Sequence, residues 1–486
     1  MEPTRALRVT AIAVCAIWVP VLVLWGPAPF TLTFDDAFYY FQIGRELALG
    51  HGSTFNGLDH TNGYHPLWQG ICALAFVVGL SGMAAVRALL VVQLVLYGAT
   101  LWLVAGLVGR RISSRAAATV AVLLAVIAGS PAVLKVFVNG LESGAVSVAY
   151  AALLVAVVDR RDRWVAPLLV VAFLSRTDAV FVIGCYVIWS RAWRRAVPVA
   201  VVAAAYLAAN WAVFGEPLQV SGVVKRQPLT VGRAAAMAVV ALVALAVGFG
   251  ARRLRSRRFA GTAAFVASTG WFAVACVLLA GYYRVLSAEV YLWYYAPVAL
   301  YLVVVVLQLA GDFVDAVIAE GQSLRAVQAI LALPFVLAVV LGLRQLLDPH
   351  LRSLQQGDRT AATWVRDNTE PGTVVASWDA GIVGYFSHRP VVNLDGVVNS
   401  FEWKDALDRA PGATRAFLDA RNVELIVNHG ELEAGEDPDI GRSVEALWGP
   451  GVPLHQVHRV EYVYAGTAGG RSGARRMATF VYSVGE

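Results

Sequence analysis

The stretch FDDAFYY at residues 34–40 decides how this chain is interpreted. It places two adjacent carboxylates, Asp35 and Asp36, directly after a long apolar segment. A segment that inserts into a membrane needs apolar residues and gains nothing from carboxylates. If the preceding segment spans a bilayer, both carboxylates lie just outside it, which makes them the first candidates for chemistry. The alternative is a solvated helix N-terminus, where negative charge is favoured by the helix dipole.

The composition of the whole chain supports a membrane location. Of its 486 residues, 58% are hydrophobic and 15% are charged, whereas soluble domains usually contain about 25% charged residues. The mean hydropathy is +0.63. The four cysteines lie in apolar surroundings without paired spacing, which argues against a disulfide framework or a cysteine-based metal site. We therefore expect a multi-pass protein whose partner is the lipid bilayer, with no nucleic acid.

Apolar segments of about 20 residues and the arginine clusters between them predict the topology. With Arg5 and Arg8 inside, the first segment is an uncleaved anchor that carries the chain outward, because no convincing cleavage pattern of a signal peptide follows it. About eleven spans result. They are 6–25, 84–108, 117–137, 144–158, a two-helix hairpin at 164–189, 196–214, 234–250, 259–279, 294–310 and 324–346. Every strong basic cluster then lies inside, and the C-terminus lies outside the plasma membrane.

The composition changes near residue 347 and divides the chain into two domains. Residues 1–346 are the membrane domain, and its first outer loop covers residues 28–83. Residues 347–486 are mixed in character, as expected of a soluble extracytoplasmic domain. The loop contains helical patterns at 36–41 and 43–49 and a short interfacial or re-entrant helix at 67–80. The second domain has strand patterns at 372–378, 390–394 and 423–427, a Gly-rich turn at 379–381, and helical patterns at 360–368 and 413–421. The expected fold is a polytopic α-helical membrane protein with a small C-terminal α/β domain.

Polar residues from distant parts of the sequence collect on the outer face in this topology. They are Asp35, Asp36, His51, His60, His65, Glu142, Arg176, Asp178, Lys225, Arg226 and Arg284. Carboxylates and cations on one face suit a reaction in which a hydroxyl loses its proton while an anionic group departs. The plainer interpretation is that charges at helix ends anchor the membrane interface. The histidines lack a tight metal-ligand spacing, and the aromatic run at 291–295 is most simply an interfacial belt.

Longer motifs around these residues resemble a known family. Residues 35–40 (DDAFYY), 50–57 (GHGSTFNG) and 61–68 (TNGYHPLW) are similar to the first outer loop of the GT-C superfamily. These membrane glycosyltransferases use polyprenyl-phosphate-linked sugars, and the most similar branch includes actinobacterial arabinofuranosyltransferases. Residues 140–143 (GLES), residues 174–178 (LSRTD) and Lys225 resemble further elements of that branch.

The resemblance covers roughly residues 30–230, and two departures leave the subfamily and its sugar open. The His65-Pro66 pair replaces a simpler proline spacing, and Thr177 stands where a proline is common.

The resemblance implies an inverting glycosyltransferase, with roles for particular residues. It implies that Asp35 is the general base on the acceptor hydroxyl and that Asp36 is a second catalytic carboxylate. The residues implied to bind the donor phosphate are Lys225, Arg226 and Arg176. Those expected to bind substrate are Glu142, His51, His65, Tyr64 and Trp68. A divalent cation (Mg²⁺, Mn²⁺ or Ca²⁺) held by Asp36 and Glu142 is left open. Candidates for acceptor contacts in the second domain, with core and turn roles as the alternative, are Trp378, Asp379, Tyr385, Asp395 and Asn399.

The expected partners are a polyprenyl-phosphate sugar donor, such as an arabinofuranosyl or mannosyl donor, and a glycan or glycolipid acceptor in cell-envelope assembly. The chain lacks the long first-loop and C-terminal signatures of oligosaccharyltransferases, which disfavours a protein acceptor. A transporter or flippase of lipid-linked glycans is one alternative, but it predicts polar residues in the middle of the membrane, and few are present. A non-catalytic envelope assembly factor is the other, and it predicts that either carboxylate can be lost without effect.

Overall fold

A computed structural model describes residues 2–320, 337, 340–344, 346–409, 412–432, 440–465, 467–468, 471–472 and 474–485. Residues 2–320 are almost entirely helical. Their α-helices are α1 (Pro3–Leu24), α2 (Ala28–Leu32), α3 (Asp35–Ala48), α4 (Pro66–Val77), α5 (Gly82–Gly109), α6 (Ala117–Gly129), α7 (Pro131–Phe137), α8 (Ser143–Val158), α9 (Asp162–Ser175), α10 (Val180–Ser190), α11 (Trp193–Phe214), α12 (Val220–Val224), α13 (Val231–Arg253), α14 (Ala260–Leu286) and α15 (Ala296–Ala319).

Six helical segments in the described residues are long and apolar enough to cross a bilayer. Five are α1, α5, α11, α13 and α14, and the sixth is Leu292–Ala319, in which a short 3-10 turn leads into α15. The bent pair α6 and α7 can form a seventh span. The chain therefore has the polytopic helical architecture that the sequence predicts.

One predicted span differs from the observed helices. Residues 117–137 were expected to form one helix, but the chain bends by 67° between α6 and α7. Pro131 starts α7 after an extended Ser130, because a proline disfavours helical backbone at the residue before it. The apolar helices α8 and Thr177–Ser190 are shorter than a full span. The last predicted span, 324–346, falls largely outside the described residues.

The first outer loop is organised by α3, which begins at the carboxylate pair. The two predicted pieces at 36–41 and 43–49 form a single 14-residue helix. It ends before Gly50, whose φ of +82° is a conformation that favours glycine. The predicted short helix at 67–80 is confirmed as α4, with Pro66 in its first turn.

The second domain is a mixed five-stranded sheet with helices around it. It contains α16 (Ser353–Asn368), β1 (Val374–Ser377), α17 (Ala380–Ser387), β2 (Val391–Asn393), α18 (Phe401–Asp408), α19 (Ala413–Asp419), β3 (Val423–Glu431), α20 (Ile440–Trp448), β4 (Leu454–Tyr464), β5 (Thr467–Ala468), β6 (Arg471–Ser472) and β7 (Arg475–Val484). The strand order is β2-β1-β3-β7-β4, with β5 and β6 as a separate ribbon. Strand β1 runs parallel to β2 and β3, whereas β7 is antiparallel to β3 and β4.

The three predicted strands and the α/β character of this domain are confirmed. The predicted turn at 379–381 is wrong in one respect, because residues 380 and 381 already belong to α17.

The second domain packs directly on the first outer loop. Arg421 binds Asp59 through its guanidinium, with Nε 2.9 Å from a carboxylate oxygen. Tyr385 donates its hydroxyl to the carbonyl of Gly82 at 2.8 Å. Gly63 lies so close to the 397–398 backbone that an added Cβ would sit 3.0 Å from Cα of Val398. The loop and the domain therefore form one packed unit over the membrane helices.

Candidate active site

A cavity of about 530 Å³ lies between the first outer loop, the membrane helices and the second domain. Its charged lining residues come from four separate parts of the sequence. They are Asp36, Glu142, Arg176, Asp178, Lys225 and Arg226. Residues 397 and 398 of the second domain complete the wall. The structure thus brings together most of the charged residues that the sequence placed on the outer face.

Asp36 and Lys225 face each other in this cavity. The Asp36 side chain is 27% exposed, and its Oδ2 lies 3.7 Å from Nζ of Lys225. Burial raises the pKa of Asp36 above its usual range, and the positive charge of Lys225 opposes that shift. Burial alone would lower the pKa of Lys225, but Asp36 raises it, so the lysine stays charged. Two opposing effects therefore set the pKa of Asp36, and its side chain lines the cavity.

Asp35 faces the second domain instead. Its Oδ2 accepts the backbone N–H of Gly381 at 2.8 Å, and its Oδ1 accepts that of Ile382 at 2.7 Å. Burial and the nearby charge of Asp379 raise the pKa of Asp35, whereas these two hydrogen bonds oppose the shift. Asp35 does not line the cavity. The resemblance implied that Asp35 is the general base, but the carboxylate of the pair that lines the cavity is Asp36.

Arg176 is held by a network of side chains inside the cavity wall. It is 3% exposed, and it donates to Glu142, to Asp178 at 2.7 Å and to the hydroxyl of Tyr283 at 2.9 Å. Tyr40 donates to the second oxygen of Glu142 at 2.9 Å. Because most of its N–H groups are used in this way, Arg176 fits a structural role better than the predicted binding of phosphate.

Among the described residues, Arg226 is the cavity cation that no carboxylate side chain binds. Its side chain lines the cavity, and it makes no ion pair with any residue in the part of the chain that the structure describes. Its backbone forms a bridge with Ser287, which fixes the loop that carries it. Lys225 is partly neutralised by Asp36 at 3.7 Å and Glu289 at 4.0 Å. An incoming anion would therefore find its strongest uncompensated charge at Arg226.

Four residues of the first outer loop were expected to bind substrate, namely His51, Tyr64, His65 and Trp68. His65 lines the cavity, and the other three do not. Nδ1 of His65 lies 3.1 Å from Nε2 of Gln219, and burial lowers the pKa of His65, which favours the neutral ring. Trp68 is fully buried and donates its indole N–H to a backbone carbonyl at 2.9 Å. The Tyr64 hydroxyl lies 2.7 Å from a serine hydroxyl of the same loop. His51 is largely exposed and pairs with Glu46 at 2.7 Å.

The residues present do not fit a resident divalent cation. Within the described ranges, no three His, Cys, Asp or Glu side chains are grouped as a metal site. Asp36 faces Lys225, and both oxygens of Glu142 are used by Arg176 and Tyr40. A cation held by these two carboxylates would have to displace those partners, so no step of the chemistry is assigned to it.

The expected acceptor contacts in the second domain also lie outside the cavity lining. Tyr385 and Asn399 are buried, and Trp378 packs against the domain core. Asp395 accepts the backbone N–H of Val397 at 2.8 Å, and burial raises its pKa to about 7.

The sequence interpretation missed several cavity residues because their contacts are long-range. The 291–295 run was assigned to an interfacial belt, yet Trp293 and Tyr294 line the cavity. Tyr294 stacks on Tyr283 with ring centres 4.2 Å apart. The signal that could have identified them was the density of aromatic residues in this run itself, YLWYY at 291–295.

Comparisons with known proteins support the fold. Residues 349–480 match a family described as a domain of unknown function, DUF8728. No curated protein matches the sequence. Among solved structures, the crystal structure of ArnT from Cupriavidus metallidurans bound to undecaprenyl phosphate is similar, with a TM-score of 0.52 and 13% identity over 97% of both chains. At this identity the likeness concerns the fold, and this chain has a polytopic helical membrane fold similar to that of ArnT, with a small C-terminal α/β domain.

Proposed function

We propose that this protein is an inverting glycosyltransferase of the plasma membrane. It moves a sugar, such as arabinofuranose or mannose, from a polyprenyl-phosphate donor to an extracytoplasmic glycan or glycolipid acceptor during cell-envelope assembly. The observation that carries the proposal is that an accessible carboxylate, Asp36, shares one cavity with Arg226, a cation that has no ion-pair partner among the described residues. The fold adds support, because the similar ArnT structure contains bound undecaprenyl phosphate.

Asp36 is the proposed general base. An acceptor hydroxyl in the cavity would hydrogen-bond to its carboxylate and attack the anomeric carbon from the face opposite the phosphate. As the new C–O bond forms, the hydroxyl proton passes to Asp36 and the bond to the phosphate oxygen breaks. A carboxylate whose pKa is raised by burial accepts that proton more readily than an ordinary aspartate. The configuration at the anomeric carbon is therefore inverted.

Arg226 and Lys225 are the proposed partners of the departing phosphate. A phosphate leaving group needs no proton from the protein, but its negative charge must be stabilised as the bond breaks. Arg226 has no carboxylate partner among the described residues, so its guanidinium can bind phosphate oxygens in a bidentate way. Lys225 lies between Asp36 and Glu289 and supplies a second positive charge.

The rest of the cavity wall suits a lipid-linked donor. Membrane helices contribute apolar side chains to it, and the first outer loop contributes polar ones. The apolar lining residues include Phe173, Phe181, Leu207 and Leu286. A donor with a hydrocarbon tail and a polar sugar-phosphate head matches this division.

Sugar transfer by the purified protein tests the proposal. Wild type, Asp36→Asn and the surface control Asp408→Asn would each receive polyprenyl-phosphate arabinofuranose, mannose, glucose and galactose, with and without a chelator. We expect wild type and the control to consume one donor, Asp36→Asn to consume none, and the chelator to have no effect. If no donor is consumed by wild type, or if Asp36→Asn matches it, the proposed function is wrong.

A further inference from the structure

Helix α3 presents two different stripes to its surroundings. Residues four apart lie on the same face of a helix, so Asp35 and Tyr39 form one stripe and Asp36 and Tyr40 form the other. Asp36 and Tyr40 line the cavity, and Tyr39 of the first stripe reaches it as well. Asp35 and Tyr39 contact the second domain. The second domain thus binds α3, the helix that carries the proposed base, through Asp35 and Tyr39.

The contact at Asp35 joins α3 to the first turn of α17. The carboxylate accepts two backbone N–H groups that have no partner within their own helix. Gly381 allows this approach, because an added Cβ would lie 2.7 Å from Oδ2 of Asp35 and would overlap its carbonyl oxygen. A negative charge at this position also matches the positive end of the helix dipole.

The contact at Tyr39 joins α3 to the strand and loop that follow α17. The Tyr39 hydroxyl accepts from Nδ2 of Asn393 at 3.3 Å and donates to Oδ2 of Asp395 at 3.4 Å. Two and three residues after Asp395, Val397 and Val398 form part of the cavity wall. The same docking therefore places α3 and closes the cavity.

We propose that the second domain is a fixed wall of the active site and that Asp35 is a positioning residue, which holds Asp36 in place by binding the first turn of α17. This inference rests on the proposed function. It gives the domain of unknown function a definite role, namely to set the position of a base that belongs to the membrane domain. Small displacements of a reacting group by about 1 Å can lower a rate by roughly 100-fold.

A double-mutant cycle across the contact tests the inference. Asp35→Asn changes the α3 side of the contact and removes one of its two acceptor oxygens. Gly381→Ala changes the α17 side, because its added Cβ would meet Asp35 and push the two helices apart. We expect each to lower kcat by about 10- to 100-fold with an unchanged KM for the donor. We expect the double variant to resemble the single ones, because both break the same contact. Gly372→Ala is the matched control, since its added Cβ meets nothing within 4 Å.

Hydrogen exchange gives a second readout that does not depend on turnover. In Asp35→Asn the amides of Gly381 and Ile382 should exchange faster than in wild type, whereas those of β3 should not change. If wild type transfers no sugar, the proposed function fails, and exchange alone decides whether Asp35 binds α17. Unchanged exchange overturns the inference. Loss of all turnover in Asp35→Asn beside wild-type turnover in Gly381→Ala also overturns it, because Asp35 would then act on the substrate itself.

Discussion

The two faces of the first turn of α3 differ more than their sequence suggests. Asp35 and Asp36 are chemically identical neighbours, yet one binds the second domain and the other faces the cavity. Successive residues of an α-helix point about 100° apart, so neighbours in sequence face different surroundings. The comparison teaches that a paired-carboxylate motif marks a site without saying which carboxylate performs the chemistry.

The two arginines of the cavity repeat this contrast. Arg176 is buried and bound by Glu142, Asp178 and Tyr283, whereas Arg226 makes no ion pair within the described part of the chain. One arginine is therefore part of the scaffold, and the other is available to a ligand.

Replacing Arg176 should have the largest effect on the folded protein. In Arg176→Met the carboxylates of Glu142 and Asp178 lose their cation inside the wall, and breaking a buried ion pair costs about 3–5 kcal/mol. We expect a much lower yield of folded protein and a large fall in melting temperature in detergent. Arg226→Met is the control, and it should unfold at the wild-type temperature. Equal melting temperatures for the two variants would remove the distinction between the arginines.

Replacing Arg226 should weaken donor binding without affecting the fold. A hydrogen bond to a charged group contributes about 1.5–3 kcal/mol, so Arg226→Gln should raise the donor KM by about 10- to 100-fold. The measurement is steady-state kinetics over a range of donor concentrations. An unchanged donor KM would show that the phosphate binds elsewhere.

Removing the charge of Lys225 should shift the pH dependence of the reaction. Lys225 lowers the pKa of Asp36, while burial raises it. The base works only when ionised, so kcat/KM falls as the pH drops through that pKa. In Lys225→Met the opposing charge is gone, and the acidic limb of the profile should move to higher pH. If the acidic limb stays in place or moves to lower pH, the ionisation that it reports is not that of Asp36.

The domain side of α3 should show its own, smaller pH effect. Burial and Asp379 raise the pKa of Asp395 to about 7, with Asp36 adding to the shift and Lys225 opposing it. The unfolded value is about 3.9, so the folded state binds more protons between these values, and its stability falls as the pH rises through this window. Asp395→Asn cannot ionise. It should therefore melt higher than wild type at pH 8 and close to it at pH 5.

The reverse order at pH 8, with wild type more stable, would mean that Asp395 is stabilised in its ionised form. Asp358, whose pKa burial raises to about 6, contributes in the same direction. Because both proteins retain Asp358, the difference between them isolates Asp395.

Much of the fold could be predicted from the sequence because its signals are local. Long apolar runs and basic clusters gave the membrane helices, and Gly50 marked the end of α3. The strands β4 and β7 were missed, although they form half of the main sheet's antiparallel pairing. Strand β4 lies at the edge of the sheet, and its residues are exposed or half-buried, so its sequence contains no continuous apolar run.

The site could be predicted only in part. The sequence placed Asp36, Glu142, His65, Lys225 and Arg226 on one face, and the structure brings them into one cavity. It could not show that Asp35 meets α17, because 346 residues separate the carboxylate from Gly381. Nor could it show that Arg176 is already bound, since its partner Tyr283 lies 107 residues away. Residue type predicts which groups can react, whereas long-range packing decides which of them are free.

The most direct test of the account compares the two carboxylates in one assay. The turnover numbers of Asp36→Asn and Asp35→Asn would be measured at saturating donor and acceptor, on preparations with matched melting temperatures. A general base contributes about 10²- to 10⁴-fold to a rate. We predict that Asp36→Asn loses about 1,000-fold or more, while Asp35→Asn loses about 10- to 100-fold. The opposite order, with Asp36→Asn the more active variant, would contradict the central claim that Asp36 is the base.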